Sequence, residues 1–65
     1  MRKNLKEARQ RAGLTQKDVA EYLGITIRSY QRIESGDRTG EIETWDLLED
    51  LFCISQRRLR ELISD

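Results

Sequence analysis

In a chain of 65 residues, chemistry has to come from few side chains. There is no His, and the single Cys, Cys53, has no candidate base beside it, so nucleophilic catalysis lacks its parts. One Cys without His leaves only carboxylates at unsuitable spacing for a metal ion. No Asp or Glu pair is marked out for acid–base work, and the glycines fall at helix ends, not in a phosphate-cradling G-x-x-x-x-G-K loop. An enzyme is therefore not expected, nor a cofactor, a metal or a small-molecule ligand. The spacing that stands out is Arg28 and Arg32, an i, i+4 pair that puts two guanidiniums on one helix surface. Each can grip the O6 and N7 of a guanine bidentately, for roughly 1–3 kcal/mol of discrimination. On an isolated helix the plainer reading is a solvated face. Tyr30 and Ile33 point the opposite way, which gives that helix an inner side.

The elements that must hold this pair read as helices throughout. With no Pro and few β-branched runs, strands are disfavoured. Leu5, Ala8 and Ala12 form a first stripe, with Asn4 as its cap and Gly13 at its end. Thr15 and Asp18 make an [ST]-x-x-[DE] capping signature for a second helix carrying Val19, Ala20 and Leu23, stopped by Gly24. Thr26 caps a third, ended by Gly36. Residues 37–41 read as a polar loop. Ile42, Trp45, Leu48 and Phe52 make a fourth stripe, widened by Leu47 and Leu51. Ser55 caps a last short helix with Leu59, Leu62 and Ile63 inward. The expectation is one compact all-α domain over residues 1–65, with five helices and short connections.

The second and third helices, each about two turns long, are joined through Gly24 and Ile25 in the manner of a helix-turn-helix. The motif runs Leu14-Thr15-Gln16, then Val19-Ala20-x-x-Leu23-Gly24-Ile25, then Tyr30-x-x-Ile33-Glu34-x-Gly36. In order and spacing it resembles the Cro and phage-repressor (XRE-type) helix-turn-helix family, and the resemblance extends from Leu5 to Leu62. It implies a lambda-repressor-like fold and a sequence-specific transcriptional regulator of double-stranded DNA, a repressor of phage or mobile-element type.

The resemblance also implies roles for particular residues. The third helix would lie in the major groove, with Ile27, Arg28, Gln31 and Arg32 toward base edges and Gln16 supporting them from the start of the second helix. Lys17, Thr26 and Arg38 match positions of phosphate contact, which orients a protein without reading sequence. Thr15 and Thr26 are caps first, and a phosphate contact would be a second use of the same hydroxyl. Lys17 and Arg38 are also common surface types, and Ile27 could pack on Leu23 or the turn instead of meeting a thymine methyl. Family members pair an Arg of the first helix with the Glu near the end of the third, and Arg9 and Glu34 match both positions. They read as a structural ion pair. Related repressors dimerise through their C-terminal part. The apolar surplus at Trp45, Leu47, Leu51, Phe52 and Cys53 fits either a normal core or a homodimer face for a palindromic operator. Cys53 aligns with a Gly that usually ends the fourth helix, and reads as a buried small residue or a redox-sensitive thiol.

Two departures from the family pattern stand out. Thr39-Gly40-Glu41 replaces a basic residue, Pro and Ser, which implies a looser loop and a weaker helix cap. Tyr30 takes a slot usually filled by Ile or Val, and would need its hydroxyl at the edge of the fold.

Charge distribution bears on the partner. The formal net charge is zero, from 12 basic and 12 acidic residues. Residues 1–40 carry nine basic and five acidic side chains, and residues 41–65 carry three and seven. A basic reading half and an acidic half thus cancel, so the neutral total does not argue against DNA. The acidic, apolar-rich C-terminal half also suits an alternative, an antitoxin or adaptor that binds protein on the same fold. RNA or single-stranded binding finds no aromatic placed for base stacking. A lone Cys, no membrane-length apolar run and no secretory leader point to the cytoplasm.

Overall fold

Helix ends set the architecture. The computed structural model describes residues 1–62, with helices α1 (Lys3–Arg11), α2 (Gln16–Leu23), α3 (Ile27–Ser35), α4 (Ile42–Phe52) and α5 (Gln56–Arg60), and no strand among the described residues. The chain is all-helical with five helices, as the apolar spacing implies. At α2 the capping box is complete: the Thr15 hydroxyl accepts the Asp18 N–H at 3.0 Å, and the Asp18 carboxylate accepts the Thr15 N–H at 2.9 Å. At α3 the Thr26 hydroxyl accepts the Ser29 N–H at 3.1 Å. Both helices end on left-handed glycines, Gly24 and Gly36.

The other ends differ from expectation. Asn4 lies inside α1, whose N-cap is Arg2 with no side-chain cap, and the Asn4 amide donates to the Arg58 carbonyl at 3.0 Å. Chain geometry replaces the cap, because the Arg2 N–H donates to the Glu34 carbonyl at 2.8 Å. Ala12 is exposed, because α1 has already ended and Leu14 takes over the packing. Ile42 opens α4 and is 76% exposed, its first turn overhanging the core, while Thr44 and Trp45 turn inward. At Ser55 no side-chain cap forms; the Glu49 carboxylate reaches from the last turn of α4 to accept the Gln56 N–H at 2.8 Å. Leu59 is fully buried, but α5 stops at Arg60 and leaves Leu62 59% exposed. Ile63 lies outside the described residues.

Leu5, Ala8, Val19, Ala20, Ile33, Leu48 and Leu59 surround two large buried rings, Tyr30 and Trp45. Full burial of a Leu or Val here contributes about 1.5–3 kcal/mol. Two elements of this core were hidden in the sequence. Gly40, expected to loosen its loop, has φ +84 and lies so close to Ile33 and Trp45 that an added Cβ would sit 3.3 Å from Ile33 Cδ1. The close approach lets the Trp45 indole donate to the Thr39 carbonyl at 2.7 Å. Arg2, counted with the basic half by composition, is only 4% exposed. Its guanidinium donates to the carbonyls of Ile33 (2.6 Å), Arg38 (2.9 Å) and Arg60 (3.1 Å) and lies 5.2 Å from the Trp45 ring centroid. It ties the N-terminus to the end of α3, the following loop and α5.

Candidate nucleic-acid interface

The turn between α2 and α3 is closed by backbone. Gly24 at φ 73 lets the Ile25 N–H donate to the Ala20 carbonyl at 3.0 Å and the Gly24 N–H to Glu21 at 3.2 Å, a Schellman-type ending. Thr26 then starts α3 at once. The helix has two sharply different sides: Tyr30, Ile33 and Glu34 are buried, whereas Arg28, Gln31, Arg32 and Ser35 are exposed and Ile27 is 41% exposed.

Several candidate residues are brought together. The Gln31 amide donates to Gln16 Oε1 at 3.1 Å, which holds one exposed side chain of α3 against the first residue of α2. Thr26, Ser29 and Arg38 form a chain: the Thr26 hydroxyl donates to Ser29 Oγ at 3.0 Å, and Arg38 Nη1 donates to the same oxygen at 3.4 Å. Ser29 was missed as a positioning residue, though a hydroxyl three residues after a Thr cap is a visible signal. The side chains of Lys17, Arg28 and Arg32 make no hydrogen bond among the described residues and stand in solvent. Thr15 is exposed at its cap, and its backbone N–H, donated to the Asp18 carboxylate, holds that carboxyl below the ordinary range.

Behind this face, Arg9 and Glu34 meet bidentately, Nε to Oε2 at 2.9 Å and Nη2 to Oε1 at 3.1 Å. Arg9 Nη1 also donates to the Leu14 carbonyl at 2.9 Å. The Glu34 carboxylate, nearly fully buried, raises the Arg9 pKa through this hydrogen bond. The pair locks α1 to the inner side of α3 and leaves the outer side free. Tyr30 does not bring its hydroxyl to the edge of the fold. The oxygen is buried and has no hydrogen-bond partner among the described residues, and burial, then the neighbouring Glu34, push its pKa far up.

A helix-turn-helix family model matches residues 5–55, most of the chain. The chain belongs to the Cro/C1-type (XRE) helix-turn-helix family. Comparison with curated proteins and with solved structures finds no match. The family is one of DNA-binding regulators, not of enzymes, and this chain carries that DNA-binding domain type. The match takes in α2, α3 and the Arg9–Glu34 pair; α5 lies beyond it. Among the described residues no group of His, Cys, Asp or Glu could hold a metal ion, and no helix is long and apolar enough to cross a membrane.

Cys53 corrects one expectation. It is exposed, not buried, and adopts the left-handed conformation (φ 54) at the end of α4. A glycine would suit this backbone better than an L side chain, and the turn keeps the thiol out of the core.

Proposed function

We propose that the chain is a sequence-specific, double-stranded-DNA-binding repressor of phage or mobile-element type, acting in the cytoplasm as one domain over residues 1–65. The observation that carries this reading is the outer face of α3. Arg28 and Arg32 project from a helix whose inner side is locked, unpaired among the described residues, and Gln31 is held by Gln16. In the major groove, Ile27, Arg28, Gln31 and Arg32 would meet base edges, with Gln16 bracing. Thr15, Lys17, Thr26 and Arg38 would take phosphates, Arg38 already steadied by Ser29.

Recognition by two copies follows from size. One α3 reads only a few base pairs, and two related by a twofold axis, ~34 Å apart, would read a palindromic operator. The exposed Leu47 and Leu62 near the C-terminal helices supply apolar surface for a homodimer. The second reading, an antitoxin or adaptor contacting another protein, draws on the same surface and on Ile42.

Selection from a randomised duplex pool tests the proposal. An enriched, twofold-symmetric sequence is expected. Arg28→Ala and Arg32→Ala should each cost about 1–3 kcal/mol of affinity for it. Affinity should also fall with rising salt as phosphate contacts release counterions. A pool with no enriched sequence, together with unchanged affinity in both variants, overturns it.

A further inference from the structure

Away from the outer face of α3, an open cleft of about 670 Å³ lies between the N-terminus, the loop after α3 and α5. Arg2, Thr39, Arg57 and Arg60 line it, with Glu61 as the one acidic side chain among the described residues. Arg2 is the unusual member. Among the described residues it is a buried cation with no carboxylate partner: Nε and Nη1 are spent on backbone carbonyls, and Nη2 donates to no described residue. Arg60 stands close by, 5.8 Å from the same Trp45 ring that Arg2 covers. Arg57 makes no side-chain hydrogen bond among the described residues. Three Arg residues and Thr39 thus line one space, against one carboxylate-bearing residue among the described residues that line it. A buried or crowded guanidinium ordinarily finds an anion.

We infer that this cleft is a phosphate-binding site, in which Arg2, Arg57 and Arg60 surround a tetrahedral oxyanion and Thr39 adds a hydroxyl donor. Arg57 and Arg60 can offer guanidinium forks that match phosphate oxygens pairwise, and Arg2, held by its three carbonyls, adds its remaining Nη2. The anion relieves the like-charge repulsion between Arg2 and Arg60, which, after burial, lowers the Arg2 pKa. The phosphate comes either from a DNA backbone or from a free phosphate or phosphomonoester. The inference does not rest on base reading by α3.

Trp45, the one Trp of the chain, reports on the cleft through its contacts with Arg2 and Arg60. The experiment titrates the intact protein with inorganic phosphate, at fixed pH and at ionic strength held by chloride, and follows Trp45 fluorescence. A saturable change is expected. Arg57→Gln, at an exposed position, should weaken it about tenfold through the lost charge-assisted bonds. Glu61→Gln should tighten it. A linear, chloride-like response overturns the inference, and so does a saturable one that both variants leave unchanged. Duplex binding by R57Q then names the source. Uniformly weaker binding, with a salt slope smaller by about one, supports backbone phosphate. Unchanged duplex binding beside weakened phosphate binding supports the free anion.

Discussion

The α2–α3 unit and the shell of α1, α4 and α5 are built by different means. In α2–α3 every end is made locally: Thr15 and Thr26 cap residues three positions on, and Gly24 and Gly36 turn the chain left-handed. In the shell the starts of α1 and α5 are tied at a distance. Arg2 reaches Ile33, Arg38 and Arg60; Asn4 reaches Arg58; Glu49 caps α5 across the α4–α5 turn. Local ends give a rigid unit that presents α3 by itself, and long-range ties hold that unit in its place. The difference implies that losses in the shell propagate further than losses within the motif.

The largest test is the joint between the two regions. Arg9→Ala leaves the Glu34 carboxylate buried without its partner and the Leu14 carbonyl without a donor. Breaking such a pair costs about 3–5 kcal/mol. In a domain this small each kcal/mol moves Tm by about 4–8 °C, so thermal unfolding followed by circular dichroism should show much of the fold lost near room temperature. A variant that melts unchanged would mean the pair does not join α1 to α3 in solution.

Arg2→Met comes next. It keeps bulk against Trp45 but removes the donors to three carbonyls, two of them otherwise turned inward toward the end of α3. A loss of about 3 kcal/mol is expected in urea unfolding. If Arg2→Met costs less than the loss of a cap in α2, the long-range ties are ornament and the contrast between the regions collapses.

The same contrast decides what could be read from the residues. Thr15-x-x-Asp18, Thr26, Gly24 and Gly36 are signals confined to one turn, so α2, α3 and the turn between them were legible, and with them the exposed side of α3. Arg2 was counted as one more basic residue, because nothing within a few positions marks it as buried; its partners are Ile33, Arg38 and Arg60. Asn4 and Ser55 were read as caps from local spacing, and both were overruled by groups brought in by packing. Gly40 was read as slack in a loop because its neighbours Ile33 and Trp45 meet it only in the folded chain. The α3 face was visible as a pattern, whereas the Ser29 bridge to Arg38 depends on how the loop folds back.

Within the motif the expected effects are smaller. Thr15→Ala removes one half of the capping box and should cost about 1 kcal/mol. The box also carries a pH signature. Its folded-state carboxyl, Asp18, titrates below the unfolded one, so the unfolded chain binds more protons in that window. Its stabilising contribution is therefore present above the ordinary carboxylate pKa and lost as pH falls through the folded value. Asp18→Asn should flatten that part of the acid limb in a stability–pH profile, and an unaltered limb would remove Asp18 from the account.

Tyr30→Phe reverses the sign. The hydroxyl sits buried beside Arg9 and Glu34 without a hydrogen-bond partner among the described residues, so its removal relieves a desolvated polar atom and leaves the ring packing in place. A gain of up to about 1 kcal/mol is expected at neutral pH. In alkali the difference widens. The folded phenol holds its proton well above its ordinary range, whereas the unfolded phenol releases it near pH 10. The unfolded state then binds fewer protons than the folded one, and native stability from this group declines as pH rises past about 10. Phe at position 30 cannot ionise, so its unfolding profile should stay flatter there than that of the parent protein. A destabilised Tyr30→Phe at neutral pH would instead mean that the hydroxyl has a partner in solution, with Glu34 a neighbouring acceptor, and that the joint between α1 and α3 is a triad and not a pair.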